Sequence, residues 1–149
     1  MSQTFNLIQI ESMWVLGLLH NEELPELAAS ALAEGFESEG ILQLAICSHD
    51  ETEEIQKFFE QILAENGMGG MSKIEALKHY AKQISNSILS AEITPLDGAK
   101  LIWQATINAK ERGFHDLDSF IYAASEMEGR PEDKEFFENA IREEARRWA

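Results

Sequence analysis

The stretch SHDETEEIQKFFEQ, Ser48 to Gln61, sets His49 and Asp50 beside Glu51, Glu53 and Glu54, side chains that could ligate a metal, move a proton or crowd a helix start. A calcium loop beginning at Asp50 would place ligands at Thr52 and Glu54. Its sharp turn then needs glycine where Ile55 stands, and its closing bidentate Glu falls on Gln61, so the loop fails. The chain contains no H-E-x-x-H, C-x-x-C or G-x-S-x-G, the hallmarks of zinc proteases, zinc ribbons and serine hydrolases. NGMGGM, Asn66 to Met71, lacks the Lys and Ser or Thr of a phosphate-binding loop and follows no strand pattern.

One enzymatic alternative uses His20, the His49 and Asp50 pair, and a later acid, Asp97 or Asp116. That order resembles the metal-ligand pattern of the helical HD phosphohydrolases, which implies a metal that activates water for phosphoester hydrolysis. In that family the pair sits inside an apolar helix. Here it falls in CSHDE, where Ser48 and Asp50 read as residues of a helix boundary. His79 lies between Lys78 and Tyr80, and HDLD, His115 to Asp118, reads as a capped helix start. Cys47 has no neighbouring base or cation to activate it and reads as an inert thiol. Trp14, Trp103 and Trp148 fall at helical positions, as core or interface anchors. The residues therefore predict a non-enzyme with no metal or cofactor.

The elements that position these groups are helices, because apolar residues recur at spacings of three and four and alternation is nearly absent. The first helix is expected over about Phe5 to His20, with Phe5, Ile8, Trp14, Val15, Leu18 and Leu19 inward. A second follows Asn21, with Pro25 in its first turn and Gly35 as C-cap. Ser38 caps a third, carrying Ile41, Leu42, Leu44, Ala45 and Ile46. Asp50 or Thr52 caps a fourth, with Ile55, Phe58, Phe59, Ile62 and Leu63 inward, ending at Asn66 and Gly67. Ser72 and Glu75 form a capping box for a fifth, reaching about Ser90, with Ile74 among its inward residues. Thr94, Pro95 and Asp97 start a sixth that includes Leu101 and Ile107 and stops at Gly113. Asp116 caps a seventh, ending at Gly129, and Pro131 opens a last helix with Phe136, Phe137, Ile141 and Trp148 inward. The expected fold is all-α, a compact bundle or layered stack of seven to eight helices. Residues 1–149 read as one helical domain with a hinge candidate at 66–71, where three glycines fall in six residues.

Composition supports a folded chain: 149 residues with 44% hydrophobic content can bury a core despite a net charge of -15. A lone cysteine suits a reducing compartment, and the apolar run Met13 to Leu19 is far shorter than the ~20 residues a membrane span needs. A cytoplasmic protein without membrane association is expected. The charge is uneven, since the first basic residue, Lys57, is preceded by eleven acids. Such a field repels phosphate backbones and steers a basic protein inward, so the expected partner is a basic protein and not nucleic acid.

In size, acidity and helical character the whole chain resembles the small acidic immunity proteins of bacterial toxin systems, including contact-dependent growth inhibition. Segments such as ALAEGFESEGILQLA and ITPLDGAKLIWQA look like those of bacterial helical proteins. The resemblance implies neutralisation of a cognate toxin by covering an essential surface. A nuclease is the toxin type that the charge favours, because acids can mimic the phosphate it binds. The expected contact face is Glu37, Glu39, Asp50, Glu51, Glu53 and Glu54, with Asp116 and Asp118 as a second candidate. A general acidic adaptor domain is the alternative binding function.

Overall fold

Short polar residues, proline and glycine punctuate the chain where its helices begin and end. The computed structural model describes residues 6–149 and is all-α, with eight α-helices, two 3-10 turns and no strand among those residues. The helices are α1 (Leu7–Val15), α2 (Leu24–Ala33), α3 (Glu39–Ala45), α4 (Thr52–Glu65), α5 (Lys73–Leu89), α6 (Pro95–Ala109), α7 (Asp118–Gly129) and α8 (Lys134–Trp148). The 3-10 turns, Asn21–Glu23 and Pro131–Asp133, precede α2 and α8. Phe5, expected in the first core, lies outside the described residues. The packing forms two compact units, Met1–Ser72 and Lys73–Ala149, with the division just after the glycine-rich segment 66–71.

In the first unit, α2 packs on α3 and α3 on α4 around Leu24, Ala28, Ala31, Ile41, Leu44, Ile55, Phe59 and Ile62. Ile10 and Trp14 of α1 join this core, with the Trp14 ring edge-on to Phe59 at 4.9 Å. The first helix is shorter than its apolar run suggests. Gly17 adopts φ +72, which glycine reaches without steric cost, and the amide of Leu18 donates to the Met13 carbonyl at 2.8 Å. That reversal ends α1 at Val15, so His20 leads into the following 3-10 turn instead. Gly35 follows the last turn of α2 as expected, and Asn66 caps α4.

In the second unit, α5 packs on α6, α6 on α7, α7 on α8 and α8 back on α5. The enclosed core includes Leu77, Ile84, Ile102, Phe120, Phe137 and Ile141. Thr94 accepts from the Asp97 amide at 3.1 Å, the expected cap of α6. A Cβ at Gly98 would lie 2.5 Å from Ile88 Cγ1, so α5 and α6 approach where only glycine fits. The expected stop of α6 at Gly113 is corrected to Ala109, because Lys110 turns left-handed at φ 56.

Candidate functional site

The acids of the expected first contact face lie on α3 and α4 and in the turns before them. Ser38 Oγ accepts from the Ile41 amide at 3.1 Å and starts α3, leaving Glu37 and Glu39 exposed at its N-terminal end. The start of α4 differs from expectation. Neither Asp50 nor Thr52 caps it; Glu51 holds the N-cap position, and its Oε1 accepts from the Ser48 amide at 2.8 Å. The amide of Glu51 in turn donates to the Ser48 carbonyl at 3.0 Å. This closed turn fixes Asp50 and Glu51 beside Glu53 and Glu54 in the first turn of α4, where carboxylates complement the helix dipole.

All six of these acids are exposed, but they form two groups. A Cβ at Gly40 would stand 2.8 Å from Ile62 Cγ1 and 3.0 Å from Glu65 Oε1, which places the start of α3 over the end of α4. Glu37 and Glu39 therefore share an end with Glu65, while Asp50, Glu51, Glu53 and Glu54 hold the other. Twelve residues of helix, about 18 Å, separate Glu53 from Glu65 along the axis. Between the two ends, Leu42 of α3 and Ile46, just past its last turn, face outward; Ile46 is 77% exposed. Both belong to the apolar residues that the third helix was expected to carry, and they make an aliphatic strip between acidic ends.

Within this unit no carboxylate among the described residues forms an ion pair, and the lone cation, Lys57, lies over the Phe58 ring at 5.7 Å. Glu39 accepts from the Gln43 side chain at 2.9 Å, and Glu23 from the His20 amide at 2.7 Å. Cys47 is half-buried and donates to the Gln43 carbonyl at 3.3 Å. Burial pushes its thiol up, and Glu51 and Glu54 push it further, so the thiolate needed for nucleophilic chemistry is disfavoured.

Asp116 and Asp118 belong to the second unit and are exposed. Asp116 does not cap α7; Leu117 occupies that position and Asp118 is the first helical residue, 3.2 Å from His115 Nδ1. Of the HD-type set, His20, His49 and Asp50 lie in the first unit, and Asp97 and Asp116 in the second. Among the described residues no three His, Cys, Asp or Glu side chains gather as a metal site requires.

A cleft of about 780 Å³ between α7 and α8 was missed by the periodicity reading. Tyr122, Phe136 and Phe137 line it with Asp118, Glu143 and Glu144. Phe136, expected inward, is 68% exposed, while Phe137 is buried and meets both Phe136, at 5.2 Å, and Tyr122, at 6.4 Å, edge to face. Adjacent helical residues point about 100° apart, so the Phe136 and Phe137 pair itself signalled that one ring would leave the core. Glu144 is held by Arg147 at 2.8 Å and by Trp148 Nε1 at 3.2 Å.

Among the described residues no helix is long and apolar enough to cross a membrane. No protein-family model, curated protein or solved structure matches the chain.

Proposed function

We propose that the chain is a binding protein, not an enzyme, whose acidic first unit docks a basic protein. In its most specific form it is a cytoplasmic immunity protein of a bacterial toxin system, contact-dependent growth inhibition included, that occludes the phosphate-binding surface of a toxin nuclease. The observation that carries this reading is the arrangement of unpaired carboxylates at both ends of the exposed Leu42 and Ile46 strip. Charges of one sign steer a basic partner over distance, and apolar anchors between them supply short-range affinity. Carboxylates already committed to ion pairs would offer little of either.

The test is recovery of the native partner, followed by co-expression. The expected partner is basic, associates more slowly as salt rises, and is toxic unless this chain is present. A partner whose toxicity persists in the presence of the chain would exclude the immunity reading. The exposed Tyr122 and Phe136 favour a second reading, an adaptor domain that engages another protein at the α7 and α8 cleft. Recovery of a partner that survives Glu53 and Glu54 reversal but is lost in Phe136→Ala supports the adaptor.

A further inference from the structure

We propose that a separate cleft on the first unit binds an alkylammonium or alkylguanidinium cation. The cleft, about 380 Å³, lies between α1, the end of α4 and residues 68–71. Glu11 of α1 lines it although the residue is only 2% exposed, and no hydrogen bond or ion pair joins its side chain to another described residue. A carboxylate withdrawn that far from water has lost hydration that a protein donor normally replaces. The other charged group lining the cleft is Glu60, a second carboxylate, so the site concentrates negative charge without an internal counterion.

The remaining lining suits a cation on an alkyl stem. Trp14 contributes an indole ring, which attracts ammonium and guanidinium groups, and Met68 and Met71 contribute polarizable thioethers that adapt to an apolar stem. Met71 packs against Ser12, whose hydroxyl donates to the Ile8 carbonyl at 2.7 Å and lies 3.5 Å from the Met71 Sδ. A hard metal ion fits poorly, since two carboxylates fall well short of the roughly six to eight oxygens calcium takes. The cation can be a free small molecule or a Lys or Arg side chain of a partner, which present the same head and stem. The cleft's chemistry does not depend on the immunity reading.

The test is an NMR titration of the full chain, with methyl-labelled methionine, against n-butylguanidinium and its neutral analogue n-butylurea. Saturable shifts of the Met68 and Met71 methyls and the Trp14 indole N–H are expected with the cation, and at least about tenfold weaker binding with the urea, the scale of a charge-assisted hydrogen bond. Glu11→Gln should weaken the cation by about ten- to hundredfold. If that variant fails to fold, Glu60→Gln at the exposed rim should weaken it by a smaller factor. Absence of saturable shifts, equal binding of the urea, or cation affinity unchanged in the folded variants would overturn the proposal. Agmatine binding more tightly than N-acetyl-arginine amide identifies a free cation as the occupant, and the reverse order identifies a side chain.

Discussion

Residues 1–72 contain thirteen acids and one base, whereas residues 73–149 contain fourteen acids and eleven bases. The second unit uses its charges internally. Beside the contact of His115 with Asp118, four ion pairs of Lys or Arg lie there, three of them between residues three apart and one, Lys100 to Glu128 at 2.7 Å, joining α6 to α7. That contact raises the Lys100 ammonium above its usual value, through the hydrogen bond to Glu128 first. The first unit folds with the same capping and packing rules, and none of its carboxylates forms an ion pair among the described residues. Helix formation therefore does not require the pairing pattern of the second unit. The helix stops differ as well: Gly17 and Gly67 turn left-handed in the first unit, Ala91 and Lys110 in the second.

Charge reversal probes the contrast most strongly. Glu53→Lys with Glu54→Lys should slow association with a basic partner by about ten- to hundredfold at low salt, while Glu132→Lys with Glu135→Lys should change it by less than about threefold. Stopped-flow kinetics measure both, and equal effects would erase the distinction between the units. Next in size, Gly98→Ala forces a Cβ against Ile88 and should destabilise by about 1–3 kcal/mol in urea unfolding. Gly17→Ala meets no atom within 4 Å and should lose about 1–2 kcal/mol from backbone strain alone. Ser38→Ala and Thr94→Ala should each cost about 1 kcal/mol, because the same cap operates in both units. Smallest, and opposite in sign, Ala91→Gly should stabilise by about 0.5–1 kcal/mol by relieving a left-handed residue at φ 62.

The all-α class and most helix starts were readable because a cap is a local contract between a side chain and an amide three residues on. Ser38 and Thr94 meet that condition in the sequence and in space. The Asp50 and Thr52 expectation failed at the same level of description: Glu51 reaches back to the Ser48 amide, and this alternative local bond displaced both. Helix ends were harder. Lys110 turns left-handed three residues before the glycine that seemed to be the stop. Periodicity also identifies apolar positions without saying which will be covered. Ile8, Leu42, Ile46, Ile74, Leu101, Ile107 and Phe136 fit a helical stripe and are nonetheless exposed, because coverage depends on the neighbouring helix. The acids of the expected contact face were legible as composition, but their division between two ends of α4 follows from the α3 and α4 pairing. Glu11 carried a local signal, a lone acid in an apolar helix; its burial beside Met68 and Met71 required the turn after α4.

The proposed function requires the unpaired acids of the first unit to capture a basic protein. The most direct measurement is the association rate of the recovered partner across about 0.05 to 0.5 M salt, for the wild type and the Glu53→Lys, Glu54→Lys variant. The wild-type rate should fall about tenfold or more, and the variant should associate more slowly with a flatter dependence. A wild-type rate independent of salt and unchanged by the reversal would contradict the proposed function.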